Sequence, residues 1–447
     1  MKKSAFSTAA IMTFLLTLIA VDNAYAVPSF ARQTGLDCMA CHTAFPELTQ
    51  MGRDFKLRGY TMGGGETKMP LPLAAMVMAD ATNIAKSKNA NGDYMAANSN
   101  GQDRNNELVV PQVSLFYGGK IYGNLGMFMQ VTYDGTNLPQ DKGVATNTAM
   151  DNTDIRYADS KMIADKELIY GVTLNNNPSV QDIWNSTSAW GFPYASSAVA
   201  PAPSASTLLD GGLSQMVAGL SAYAMWNDMI YVEAGAYQTA PKNGVLSFLG
   251  WNNGGANPVV HGNAPYGRIA LQHDFGDHYL MVGSSMMTTS VKQDGTDKLD
   301  THHDWSVDAE YQYNYDKHYV TATASKIWEK ANLDASQFLG NADNSSDSIT
   351  TTKVKASYYY DHKYGASLGY VTTSGNVDVK KYTDSANGSP DSSYSIAEFD
   401  YLPISQVKFS LSYTMYDKFN GAKTNYDGAG RNASDNNTLY LLGWFMF

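Results

Sequence analysis

From Leu71 to Phe447 the chain alternates apolar and polar residues with a period of two. Between 305 and 314, Trp305, Val307, Ala309, Tyr311 and Tyr313 alternate with Ser306, Asp308, Glu310, Gln312 and Asn314. Between 407 and 416, Val407, Phe409, Leu411, Tyr413 and Met415 alternate with Lys408, Ser410, Ser412 and Thr414. Successive side chains of a strand point to opposite faces, so each such segment has one apolar and one polar side. Strands of roughly ten residues patterned this way predict a transmembrane barrel with an apolar outside and a polar inside. A β-sandwich alternates too, but it does not need an apolar, aromatic-ended face on strand after strand.

The connections agree with a barrel. Tight turns are predicted near Gly118-Gly119, Asp165-Lys166, Asn227-Asp228, Phe275-Gly276-Asp277, Tyr315-Asp316-Lys317, Asp361-His362 and Leu402-Pro403. Long polar loops are predicted near 86–106, 135–150, 177–212, 240–263, 291–302, 330–348, 374–391 and 417–436. Short and long connections alternate, as periplasmic turns and extracellular loops do, and they separate about sixteen strands, an even number. The last segment, Leu439 to Phe447, alternates and ends on an aromatic residue.

Upstream of the strands the pattern changes. Residues 1–26 read as a secretory signal: Lys2 and Lys3, an apolar run from Ala9 to Val21 too short to span a bilayer, and Ala24-Tyr25-Ala26 as a cleavage site. Residues 27–70 form a small segment too short to bury a useful core by itself. Within it, 46–56 reads as a helix with Pro46 in its first turn, and Gly63-Gly64-Gly65 as a break before the first strand. The fold expected is therefore all-β: a transmembrane antiparallel β-barrel over 71–447, preceded by a small α-helical segment at 27–70 that folds into the lumen as a plug. Composition supports this. Charged residues are only 16% of the chain and aromatics 12%, with 30 tyrosines suited to membrane girdles, and no long apolar run follows the signal. The net charge of −11 argues against nucleic acid as a partner.

The candidate chemistry lies in the short segment. Cys38-Met39-Ala40-Cys41-His42 contains the only two cysteines of the chain. Two thiols at this spacing can form thioethers to both vinyl groups of one porphyrin, and the adjacent imidazole can ligate the iron, so the motif predicts one covalent c-type haem with His42 as an axial ligand. A thioredoxin-like pair would want a βαβ context, and a zinc site would want four ligands. The next histidine is His261, so the sixth ligand is expected to be a methionine, which raises the reduction potential. The candidates are Met51, Met62, Met69, Met76 and Met78, with Met62 and Met76 foremost. Met76 and Met78 share strand parity with Asp80, whereas Met51 reads as a helix core residue. His302-His303-Asp304 reads as a solvated loop end, with metal binding the lesser reading.

One further pattern carries a resemblance. Ala26-Val27-Pro28-Ser29-Phe30-Ala31-Arg32-Gln33-Thr34-Gly35, then the haem motif, Phe45-Pro46, and Gly52-Arg53-x-Phe55-Lys56-x-x-Gly59-Tyr60 resembles the outer-membrane fused monohaem cytochrome c–porins, which include the iron oxidases of iron-oxidising bacteria. Asn175-Asn176-Asn177-Pro178-Ser179-Val180-Gln181-Asp182 and Trp190-Gly191-Phe192-Pro193 look like a loop of that group. The resemblance implies one c-type haem, an outer-membrane barrel and electron transfer from an extracellular donor towards the periplasm; it does not fix the donor, which is expected to be extracellular Fe(II), with a periplasmic c-type cytochrome as acceptor. The alternative is a haem-plugged porin or a conduit for a donor other than iron.

Overall fold

In the structure, a computed structural model, residues 28–62, 71–97, 101–136, 147–239, 245–249 and 259–447 are described. The signal 1–26, the Gly63-Gly64-Gly65 break, Met69 and parts of the loops expected near 135–150 and 240–263 lie outside the described residues.

Sixteen strands form the wall: β1 Leu73–Ile84, β2 Leu108–Tyr122, β3 Leu125–Asp134, β4 Thr148–Ile163, β5 Lys166–Asn175, β6 Ala218–Trp226, β7 Ile230–Gln238, β8 Ala264–Asp274, β9 His278–Lys292, β10 Leu299–Tyr315, β11 His318–Leu333, β12 Ser346–Tyr360, β13 Tyr364–Gly375, β14 Ser392–Ile404, β15 Val407–Lys418 and β16 Thr438–Met446. A two-residue strand, Val259–Val260, extends β8 along the same edge of β9. Every strand pairs antiparallel with its neighbours in sequence, and β16 pairs with β1, so the sheet closes without an edge.

Burial is inverted relative to a water-soluble domain. In β10, Asp304, Ser306, Asp308, Glu310 and Gln312 are buried in the lumen, while Trp305, Val307 and Tyr311 are exposed outside. Leu280, Val282 and Met286 of β9, Leu368 of β13 and Leu411 of β15 continue the exposed apolar belt. In water such a belt would be an aggregation surface. In hydrocarbon it is the favourable face, and closure leaves no unpaired backbone there. Near the short turns Phe275, Tyr315, Tyr360, Tyr364 and Tyr401 are exposed; Tyr364 stacks on Tyr401 with ring centroids 5.5 Å apart. Nearer the long loops Trp305 stacks on Trp328 at 4.7 Å. These rings form the two interfacial girdles of an outer-membrane barrel.

The alternation of short and long connections holds, with corrections of position. Gly118-Gly119 is not a turn but part of β2, and the turn falls at Gly123-Asn124. Those glycines serve a close approach instead: a Cβ on Gly118 would meet Ser29 Oγ at 2.9 Å and Phe30 Cε1 at 3.1 Å. β14 runs through Leu402-Pro403, where the register with β15 shifts, and turns at Ser405-Gln406; a proline lacks the ladder donor and is tolerated at such an irregularity. The connection expected at 291–302 shrinks to 293–298 because β9 and β10 are longer. The loop after β5 does not stay outside. Asn176, Gln181, Asp182 and Trp184 are each at most 1% exposed, and Trp184 Nε1 donates to Gln272 Oε1 at 2.8 Å and Tyr279 Oη at 2.6 Å inside the barrel.

The N-terminal segment also lies in the lumen, at the short-turn end. It contains α1 Pro28–Thr34, α2 Cys38–Cys41, α3 Gln50–Leu57 and a ribbon pairing His42–Ala44 with Glu47–Leu48. The helix expected at 46–56 starts later, because Thr49 Oγ1 accepts from Gly52 N at 3.3 Å and caps α3. Its own core is small: Phe30 meets Phe55 edge-on at 5.1 Å and stacks on Tyr60 at 5.6 Å. Further contacts tie it to the wall and to the inward loop. Arg53 donates to Leu48 O at 2.8 Å and Gln312 Oε1 at 2.9 Å, pairs with Glu310 at 3.6 Å and lies 3.6 Å from the centre of the Tyr279 ring. Lys56 Nζ donates to Val180 O, Asp182 O and Asn185 Oδ1 at 2.7–2.8 Å. Tyr60 Oη donates to Asp154, and Glu47 pairs with Lys355.

These pins make the docking testable. Arg53→Ala leaves Glu310 buried without its cation, a change that costs about 3–5 kcal/mol. The expected outcome is a loosened segment in an intact barrel. Limited proteolysis checks it: cleavage within 28–62 becomes roughly tenfold or more faster in the variant, while heat-modifiable gel migration, the mark of a folded barrel, is unchanged.

Candidate cofactor site in the barrel lumen

The site starts from one helical turn. Asp37 Oδ1 accepts from Met39 N at 3.0 Å and caps α2, and a spacing of three places Cys38 and Cys41 on one side of it. Neither cysteine forms a disulfide. Burial, with Cys38 adjacent, pushes the Cys41 thiol up to about 11, so it stays protonated. The end of α2 is held by the start of α3. Thr49 Oγ1 donates to Ala40 O at 2.6 Å and Thr49 N to Cys41 O at 3.0 Å. Gly52 allows this approach, since a Cβ there would lie 2.2 Å from Cys41 O.

His42 follows α2 directly. Its Nδ1 lies 3.2 Å from Glu47 O, across the ribbon, and its ring tilts against Phe45 at 4.7 Å. Burial lowers the imidazole to about 4, so the ring is neutral at physiological pH. A carbonyl only accepts, so the proton of the neutral ring sits on Nδ1 and the Nε2 lone pair is available to a metal.

Cys38, Cys41, His42, Phe45 and Phe55 line a cavity of 640 Å³, within the range of about 300–1,000 Å³ usual for cofactor pockets. Its other walls are Met76 and Met78 of β1, Phe116 of β2, Phe128 of β3, Tyr440, Trp444 and Met446 of β16, and Trp190 and Tyr194 of the inward loop. Gln112, Gln130, Thr132, Asp134 and Asp151 line it toward the long loops. Trp444 Nε1 is buried without a hydrogen-bond partner.

The structure thus gathers Cys38, Cys41, His42 and Met76 around one cavity, with Met78. It does not bring Met62 there. Met62 is 42% exposed, with a φ of 53° at the end of the segment, so the foremost pair of methionine candidates is reduced to Met76. Met51, expected in a helix core, is 39% exposed. Met446 and Trp444 were not singled out from sequence. Only the inward parity of Met446 with Tyr440 and Leu442 was readable there. His302 and Asp304 face the lumen and are not a solvated loop end; His302 Nδ1 lies 3.2 Å from Glu329 Oε1. Among the described residues no group of three or more His, Cys, Asp or Glu stands close enough to hold a metal ion.

No family model matches the chain, and no curated protein does. Solved structures do. The chain is similar to the outer-membrane channel DcaP of Acinetobacter baumannii, with 13% identity over 86% of this chain and 100% of that one and a TM-score of 0.46. It is similar to OmpF of Salmonella typhi in complex with daunomycin, with 12% identity over 84% and 97% and a TM-score of 0.47. It is similar to an anion-selective porin from Comamonas acidovorans, with 13% identity over 84% and 98% and a TM-score of 0.45. The porin-like, outer-membrane character of this chain follows from its own closed ring and lipid-facing belt.

The donor set provides the test of fit for the group that the motif implies. Two thiols outside any disulfide, a neutral imidazole with one open nitrogen, thioether sulfurs, apolar walls and an orphaned indole donor meet at one cavity. These residues fit a c-type haem.

Proposed function

We propose that this chain is an outer-membrane c-type cytochrome–porin fusion that oxidises extracellular Fe(II) and passes the electron to a periplasmic c-type cytochrome. The observation that supports this reading is the convergence of Cys38, Cys41 and neutral His42 on one cavity inside a closed barrel. Cys38 and Cys41 would hold haem through thioethers, and His42 and a methionine would ligate its iron. When bound, the haem supplies a one-electron couple poised between the extracellular donor and the periplasmic acceptor.

The work of the chain itself is placement and exclusion. Arg53, Lys56 and Tyr60 anchor the segment to the wall and the inward loop. Phe116, Phe128 and Trp190 keep the middle of the cavity apolar, while Gln112, Gln130, Asp134 and Asp151 make its upper end polar and partly anionic. That end suits the approach of a hydrated cation. Fe(III) formed there stays outside the cell, and no bond to the donor has to form or break.

The test is a stopped-flow trace of Fe(II) mixed with the purified oxidised protein. Reduction of the haem absorbance by Fe(II) is the expected result. Reduction by dithionite with none by Fe(II) would leave a conduit for another donor.

A further inference from the structure

We infer that Met446, the penultimate residue of the chain, supplies the sulfur opposite His42. The inference rests on the proposed haem and names the residue that completes its ligand set.

His42 is the only imidazole among the cavity-lining residues. The lysine amine and the phenols there are in use, and an indole nitrogen has no lone pair to offer a metal. Lys56 Nζ is held by three acceptors, Tyr60 donates to Asp154 and Tyr440 to Asp80, and Tyr194 is engaged by Lys355. Three thioethers remain: Met76, Met78 and Met446.

Their surroundings separate them. Met76 and Met78 are 3% and 6% exposed, packed into the wall with Phe116, Tyr440 and Leu442. Met446 touches that cluster from its edge and also packs against the Cys38–Phe45 cluster. It alone of the three reaches the residues beside His42, and it is less covered than the other two. Its backbone is fixed: Met446 N donates to Gln406 O at 3.0 Å, and Phe447 and Ala75 exchange two hydrogen bonds of 2.8 and 3.0 Å beside it. An unbranched, polarisable side chain on a fixed backbone can turn its sulfur toward the cavity without disturbing the wall.

The position has a structural consequence. Met446 pairs with Met76 across the β16–β1 seam that closes the barrel. The ligand set therefore joins residue 42 to residue 446, and it is complete only in the closed ring.

The experiment compares oxidised spectra of haem-loaded Met446→Ala, Met76→Ala and Met78→Ala, with assembly scored by heat-modifiable migration. The wild type should show the weak near-infrared sulfur-to-iron band. Met446→Ala should lose it and shift toward a high-spin spectrum, while Met76→Ala and Met78→Ala keep it. Met446→His, which restores a strong ligand at the same place, should give a low-spin bis-imidazole spectrum and a lower potential. The inference is overturned if the band survives Met446→Ala, if it disappears with Met76→Ala instead, or if Met446→His stays high-spin. A wild-type chain with no haem mass would sink the haem reading itself, which is a separate result.

Discussion

A Cys38→Ala, Cys41→Ala double variant is expected to assemble into the same barrel, to carry no covalent haem and to lose its reaction with Fe(II). The separation of these effects follows from where the thiols stand. The ring of strand pairs closes through β16 and β1 without any residue of 28–62. The cysteines form no disulfide whose loss would loosen the segment, and the cations that pin it, Arg53 and Lys56, lie on α3. The variant thus removes the attachment chemistry and little else. Either single variant retains one thioether site and should show reduced, not absent, attachment. Heat-modifiable migration, haem staining of the denatured chain with intact mass, and the stopped-flow trace with Fe(II) read the three effects separately. Staining that persists in the double variant, or Fe(II) oxidation at the wild-type rate without it, would contradict the assignment.

Ion conductance should respond almost as strongly to removal of the N-terminal segment. The intact barrel is expected to conduct poorly in a planar bilayer, because its lumen holds both the segment and the inward loop 176–217. Sixteen-stranded porins otherwise leave an aqueous channel. A version lacking 27–70 should therefore open a larger pore. It should still fall short of a free porin channel, because Trp184 remains hydrogen-bonded to Gln272 and Tyr279 and Arg268 still bridges Asp182 of that loop at 3.3 Å and Asp308 of the wall at 2.7 Å. Deleting part of the loop as well should raise conductance again. Equal, porin-sized conductance from the intact and shortened chains would mean that the segment hangs outside the lumen.

Much of this architecture was legible because its signals are local. Period-two alternation marked the strands and told their two faces apart, as at Trp305 to Gln312. Turn chemistry placed Asn227-Asp228, Phe275-Gly276-Asp277 and Asp361-His362 correctly, since each takes up the positive φ values that tight turns require. Where local signals misled, a distant contact was the reason. Gly118-Gly119 reads as a turn, yet its missing side chains admit Phe30 and Gln33 of the segment. The polar loop after β5 reads as an extracellular loop, yet Gln181 and Asp182 find partners on the inner wall.

By itself, then, the sequence determined the barrel, its strand number and the cofactor motif, because each depends on residues a few positions apart. Only the tertiary structure decided what surrounds that motif. Arg53 reaches Gln312, Lys56 reaches Asp182, and Met446 reaches the Cys38–Phe45 cluster across nearly the whole chain. Which inward side chains face one another across a lumen depends on barrel closure and on how the segment settles inside it. Met62 shows the limit: it is near His42 along the chain, but it is exposed at the end of the segment and outside the cavity lining. Met446, at the far end of the chain, lines the same cavity because β16 must pair with β1 to leave no edge in the membrane.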